Sequence, residues 1–286
     1  MKIVHTPTEA REFIHSLRAA GKTVGMVPTM GALHEGHLSL VQTSHSQCDE
    51  TVASIFVNPT QFAAGEDLDK YPRTLQQDFE LLESKGVAAV FVPDKQSMYP
   101  EGFSTYVDPP EVSRSLEGVC RPGHFRGVAT VVMKLFQAMP TTHAFFGKKD
   151  YQQLKVIQAM ANDLDVGIEI VACETMREHD GLAMSSRNRY LDDQQRKRAL
   201  LLSAALTTVE QELAGGMSNA DQLASEMQQV LLGDKIEGVD KIDYAVVVDA
   251  KTLTPLSNVD RPAVALIAAF VGKTRLIDNR ELGVPE

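Results

Sequence analysis

The sequence predicts an α/β fold: a doubly wound parallel sheet, followed along the chain by a second, smaller α+β domain. Three observations carry that expectation. Over the first 174 residues short apolar runs alternate with amphipathic stretches, polar loops follow the runs, and past about residue 175 the texture changes to a long charged segment rich in alanine and leucine. A strand covered by helices on both faces reads as an unbroken apolar run, not as an alternating one.

The elements fall in order. "TVGMVP" (23–28) reads as a strand and is followed by a helix from about Gly36, a strand "TVASIFV" (51–57), a helix "TLQQDFELLESKG" (74–86) and a strand "AAVFVP" (88–93). The alternation continues through the helical "GVATVVMKLFQAM" (127–139), the strand "HAFFG" (143–147), the helix "YQQLKVIQAMANDL" (151–164) and the strand "GIEIVAC" (167–173). A charged helical stretch, "DDQQRKRALLLSAALTTVEQELAGG" (192–216), then a further helix and the strands "IDYAVVVD" (242–249) and "PAVALIAAFVG" (262–272) form the remainder. The expected division is 1–174 and 175–286.

Composition narrows the function classes. With 43% hydrophobic and 23% charged residues the chain matches soluble globular domains, which argues against disorder and fibrous repeats. The three cysteines, Cys48, Cys120 and Cys173, are far apart and have no zinc spacing, which fits a reduced compartment. "MKIVHTPTEAREFIHSL" has no long apolar core of a leader, and no apolar run is long enough to span a bilayer, so a cytoplasmic location is expected. A net charge of -10 argues against nucleic acid and anionic membrane as partners. An anionic substrate would need positive charge gathered locally.

In open α/β sheets ligands bind beyond the carboxyl ends of the strands. Four loops stand at such ends: "PTMGALHEGH" (28–37), "NPTQFAAGED" (58–67), "GKKDYQQ" (147–153) and "ETMREHDGLAMSSRN" (174–188). In the first, Gly31 and Gly36 allow close backbone approach, and free amides with the helix dipole would attract an anion. His37 is expected in the first helical turn and His34 just before it, both able to donate N–H to phosphate oxygens. Two other readings stay open: a His-x-x-His metal pair, which lacks the four-residue spacing of a zinc helix, and plain capping or packing at a helix start.

The other loops add donors. Asn58 and Gln61 are neutral amides suited to hydroxyl and carboxylate recognition, or parts of an ordinary Asn-Pro turn. Lys148, Lys149 and Asp150 follow Gly147 at a strand-to-helix junction, where lysine can offset phosphate charge and aspartate can accept from ribose hydroxyls. Ser185, Ser186 and Arg187 place three donors together, or mark a serine-capped helix. "CRPGHFRG" (120–127) adds Arg121, His124 and Arg126 ahead of a helix as a supporting wall.

Pro28-Thr29-Met30-Gly31 with His34-Glu35-Gly36-His37 resembles the HIGH-type signature of the nucleotidylyltransferase superfamily, and the whole set of loops resembles the pantoate–β-alanine ligase family. The matching segments run in order from residue 28 to residue 190, and the carboxyl-terminal third has few diagnostic residues. The resemblance implies a Rossmann-like nucleotide- and pantoate-binding domain over 1–174, a smaller domain covering the active site, and an ATP site made of Met30, Gly31, Ala32, Leu33, His34, Glu35, Gly36 and His37. It extends that site to Gly147, Lys148, Lys149 and Asp150, to the backbone of Met176 near adenine, and to Met184, Ser185, Ser186 and Arg187 closing over phosphates. Lys148 departs from the acidic or amide residue common there, and an arginine, Arg187, stands where the superfamily often has lysine.

By the same resemblance Asn58, Gln61 and Gln153 handle pantoate, and the catalytic set is His34, His37, Lys149, Ser185, Ser186 and Arg187. ATP would be a co-substrate with Mg2+, no metal ligand is assigned, and the partners would be pantoate, β-alanine and a second copy of the chain, with strands such as "VASIFV" as contact surfaces. The implied reaction is adenylation of pantoate with loss of pyrophosphate, then attack by the amine of β-alanine to give pantothenate and AMP. Two rivals remain at this stage: a nucleotidylyltransferase that stops at nucleotide transfer, and a noncatalytic ATP-sensing module.

Overall fold

The computed structural model describes residues 1–62, 68, 71–233 and 237–284. The chain divides into two compact units, Met1–Lys148 with Gln152–Glu174, and Lys149–Tyr151 with Thr175–Glu286. The tripeptide Lys149–Tyr151 therefore groups with the second unit although its sequence neighbours group with the first.

The first unit is built on a parallel sheet of β1 (Lys2–Val4), β2 (Val24–Thr29), β3 (Glu50–Ile55), β4 (Ala89–Phe91), β5 (His143–Gly147) and β6 (Glu169–Cys173), in the order β1-β4-β3-β2-β5-β6. Helices α1 (Pro7–Ala19), α2 (Glu35–Gln47), α3 (Leu75–Ser84), α4 (Lys95–Met98), α5 (Glu117–Cys120), α6 (His124–Ala138) and α7 (Tyr151–Asp163) connect the strands. Alternate strand residues enter two cores. Met26, Val52, Ala144 and Phe146 pack with Ile14, Phe136 and Ile157 of α1, α6 and α7, while Val27, Ala53, Ile55 and Phe145 pack with Val41 and Leu82 of α2 and α3. Helices thus cover both faces, which is why the strands read as unbroken apolar runs.

The strand β1 and the helices α1, α4 and α5 lie outside the sequence reading of this unit. β1 is three residues long, too short for a periodic signal, and pairs with β4 at the sheet edge. α1 begins with a capping box, Thr6 accepting from Glu9 N and Glu9 accepting from Thr6 N, with Pro7 in its first turn. The structure also corrects the expectation that "VASIFV" is a contact surface: β3 lies between β4 and β2, and Val52, Ala53, Ile55 and Phe56 are buried in the chain's own cores.

The second unit has the antiparallel sheet β7 (Lys241–Asp249), β8 (Ala263–Val271) and β9 (Thr274–Leu282), with α8 (Asp193–Ala214) and α9 (Ala220–Leu232). Leu202, Leu206 and Val209 of α8, Leu223 and Met227 of α9, and Ala265, Ile267 and Ala269 of β8 form its core. β9, "TRLIDNREL", gives no strand signal in the sequence because charged residues interrupt its apolar ones. Among the described residues, no helix is long and apolar enough to cross a membrane.

Candidate active site

The order of the first sheet fixes where its loops meet. From β2 the chain runs outward through β3 and β4, then returns to place β5 on the other side of β2, so β2 and β5 flank the switch point where open α/β sheets bind ligands. The loop after β2 carries His34 and His37, the turn after β5 begins at Lys148, and the loop after β3 carries Asn58 and Gln61.

His34 is the residue capping α2. Its ring Nδ1 accepts from Gly36 N at 3.2 Å, while His37 Nδ1 lies 3.4 Å from the donating N–H of His34, and the two ring centroids are 4.2 Å apart. The capping reading left open above is therefore realised, and it is compatible with chemistry. An Nδ1 that accepts leaves the proton of neutral imidazole on Nε2, so each ring carries an N–H donor there. The expectation of free turn amides is corrected. Gly31 N donates to Thr29 Oγ1, Ala32 N and Leu33 N donate to Asp78, and His37 N donates to His34 O. Glu35, the first helical residue, is exposed.

The second loop is more than an ordinary turn. Asn58, 1% exposed, caps the 3-10 turn Pro59–Gln61 and gathers three donors at Oδ1: Thr60 N, Thr60 Oγ1 and Tyr99 OH. Its Nδ2 donates to Gln61 Oε1 at 3.1 Å and to Gly127 O at 3.2 Å, and Gln61 Nε2 reaches Met30 Sδ at 3.1 Å, joining loops one and two. A Cβ on Gly127 would stand 2.2 Å from Thr60 O, so only glycine lets α6 approach this turn. Residues 63–67 of the loop lie outside the described residues.

The wall segment also gains a role. His124 and Arg126 lie inside α6, not ahead of it, and only Arg121 precedes it. His124 Nδ1 lies 2.8 Å from Gln61 O and Nε2 lies 3.2 Å from Arg121 Nη1, so the arginine fixes the tautomer that donates to the Gln61 carbonyl. Gln153 sits in the first turn of α7, beside the buried Gln152 that ties down Val112, Ser115 and Glu117. Lys148 pairs with Glu174 at 2.6 Å, linking the ends of β5 and β6.

Within the second unit, Lys149 O accepts from Asn279 Nδ2 at 2.8 Å, and Tyr151 OH donates to Ala250 O and Glu281. Burial, then the charge and hydrogen bond of Glu281, hold the Tyr151 hydroxyl strongly protonated. Asp150, between them, is exposed. The serine segment hangs on a short hairpin: Met184 N donates to Met176 O at 2.9 Å, and Arg177 bridges Ala183. The Met176 carbonyl is thus engaged by Met184. Ser185 caps the 3-10 turn Ser186–Tyr190 by accepting from Arg187 N, so the capping reading holds here too. Ser186 is buried, and Ser185 and Arg187 are partly exposed.

Sequence reasoning missed the residues that hold these loops: Asp78, 46 positions from Ala32; Asn188, which donates to Glu178 and Ala183 O; and Arg177 with Asp278. Their partners are remote in sequence or look like surface charge. Among the described residues, no group of three or more His, Cys, Asp or Glu is placed to hold a metal.

The comparisons with known proteins agree with one another. The family model Pantoate-beta-alanine ligase matches residues 2–281. A pantothenate synthetase of Rhodopirellula baltica is 58% identical over 92% of both chains, and one of a Sulfurihydrogenibium species is 45% identical over 98% of this chain and 100% of its own. The crystal structure of pantothenate synthetase from Thermus thermophilus superposes with a TM-score of 0.89 at 42% identity, covering 100% of both chains. A pantoate–β-alanine ligase from Francisella tularensis, in complex with beta-gamma ATP and β-alanine, gives 0.78 at 34% identity over 98% and 97% of the two chains. Matched over residues 2–281, this chain belongs to the pantoate–β-alanine ligase family.

Proposed function

We propose that this chain condenses pantoate with β-alanine at the expense of ATP, through a pantoyl adenylate, releasing pyrophosphate and AMP. Family membership supports the pair of substrates, and the F. tularensis relative, complexed with a nucleotide and β-alanine, supports the use of ATP. The observation that carries the chemistry is the reciprocal cap of His34 and His37, which commits both Nδ1 atoms and so puts an N–H donor on Nε2 of each ring.

A carboxylate is a poor electrophile. Its oxygen attacks the α-phosphorus, pyrophosphate departs, and the acyl carbon then carries a leaving group that the amine can displace. Charge grows on the α-phosphate oxygens, and His34 and His37 are assigned to those oxygens, each charge-assisted bond contributing about 1.5–3 kcal/mol. Lys149, Ser185, Ser186 and Arg187 are assigned to the departing pyrophosphate, and the rest of the set Met30–His37, Gly147–Asp150, Met176 and Met184 to the walls of the ATP site. Asn58 and Gln61 form one amide platform with Met30, and with Gln153 are assigned to pantoate.

Magnesium is assigned to the phosphate oxygens of ATP, which it usually accompanies, and no residue of the chain is assigned to it. The proposed setting is a cytoplasmic homodimer. The test is pantoate-dependent exchange of labelled pyrophosphate into ATP without β-alanine, followed by amine-dependent release of AMP. Exchange in wild type and its loss by orders of magnitude in His37→Ala or Lys149→Ala support the proposal. Near-wild-type exchange in either variant removes that residue from the catalytic set, no exchange with any carboxylic acid favours an ATP sensor, and AMP release indifferent to the amine favours a nucleotidylyltransferase.

A further inference from the structure

Asp78, in the first turn of α3 and 2% exposed, accepts from Ala32 N at Oδ2 (3.0 Å) and from Leu33 N at Oδ1 (2.9 Å), and Thr74 Oγ1 donates to Oδ1 at 3.2 Å. Gly31 and Ala32 both have positive φ, 80° and 51°. Successive backbone N–H groups in such a turn, here those of Ala32 and Leu33, converge on one acceptor as an anion-binding nest. Such a conformation is unfavourable for alanine, so it persists only where its surroundings hold it. A Cβ on Gly31 would meet Asp78 Oδ2 at 3.0 Å, which shows how closely the carboxylate fits the turn. The nest in the HIGH-type loop therefore holds the protein's own carboxylate.

We propose that Asp78 is a positioning residue for adenylation: by filling the nest it fixes the Gly31–Leu33 turn that delivers His34 to the cap of α2, and it leaves the phosphate to the imidazoles. This rests on the adenylation reading of His34 and His37. The same bonds explain why the loop offers an anion no free amides at Ala32 and Leu33.

The test is Asp78→Asn in the full chain. An amide can accept from one of the two N–H groups but turns a donor against the other, while volume is kept. The variant is expected to retain its circular dichroism, to lose about 100-fold in kcat for pantoate-dependent pyrophosphate exchange, as a misplacement of about 1 Å can cause, and to keep its pantoate KM within about twofold. The imidazole nitrogen resonances of His34 and His37 are expected to shift. A folded variant with wild-type kcat overturns the proposal, and so does a lower kcat with unmoved imidazole resonances. Should Asp78→Asn not fold, Thr74→Val carries the test, with a smaller loss of kcat and the same resonances displaced; wild-type values of both overturn it. Failure of the adenylation reading itself would show differently, as absence of exchange in wild type.

Discussion

His34 and His37 cap one helix for each other, His34 Nδ1 accepting from Gly36 N and His37 Nδ1 facing His34 N. A cap and a catalyst are normally separate demands; the cap takes one ring nitrogen, and the proposed catalytic role needs the other. His34→Asn separates them, because asparagine is among the best capping residues but has no second ring nitrogen. Its unfolding free energy is expected within about 0.5 kcal/mol of wild type, whereas His34→Ala loses about 1 kcal/mol. Both variants are expected to lose at least about 100-fold in exchange kcat, the scale of one oxyanion donor removed. Wild-type exchange in His34→Asn would reduce the residue to a cap.

The amide platform predicts a different kinetic signature. A methyl group on Gly127 cannot fit beside Thr60 O without moving the Asn58–Gln61 turn. Gly127→Ala, Gln61→Ala and Gln153→Ala are each expected to raise the pantoate KM by about tenfold or more with a smaller effect on the KM for ATP. Pantoate titrations in the exchange assay check this, and an unchanged KM in both glutamine variants would overturn the assignment.

Arg177 donates to both oxygens of Asp278 at 2.8 and 2.9 Å, and Asp278 is 2% exposed. Removing one partner strands a buried charge, so Arg177→Ala is expected to cost about 3–5 kcal/mol in urea unfolding, and a loss below about 1 kcal/mol would contradict it.

Asp180 gives a pH dependence with a definite sign. Burial pushes its carboxyl up, but the Arg196 hydrogen bonds and Leu182 N outweigh this and hold it below the ordinary carboxylate range. A lowered folded pKa stabilises the fold above the unfolded value of about 3.9, and that stability is lost as pH falls through the folded value. Arg196→Gln is therefore expected to be less stable than wild type at pH 7, with the difference closing towards about pH 2. Thermal midpoints across this range measure it; a pH-independent difference would contradict it.

Legibility in the sequence followed range. Local signals carried the parallel sheet: Met26 and Val27 enter opposite cores, so β2 had to read as an unbroken run. They also carried the candidate residues, since His34 and His37, or Asn58 and Gln61, sit within one turn of each other. What failed was anything settled by a distant partner. Asp78 looks like helix surface until Ala32 is set against it, and Lys149 looks like part of its neighbours' unit until Asn279 on β9 takes its carbonyl. The amides of Ala32 and Leu33 look free in the sequence because their acceptor, Asp78, lies 46 and 45 residues away.

In the proposed adenylation a carboxylate oxygen of pantoate becomes bonded to the α-phosphorus of ATP. Pantoate labelled with 18O in its carboxylate, turned over with ATP and β-alanine and followed by mass spectrometry, tests this most directly. One labelled oxygen is expected in each AMP released and none in pyrophosphate; unlabelled AMP with label in inorganic phosphate would rule the adenylate out.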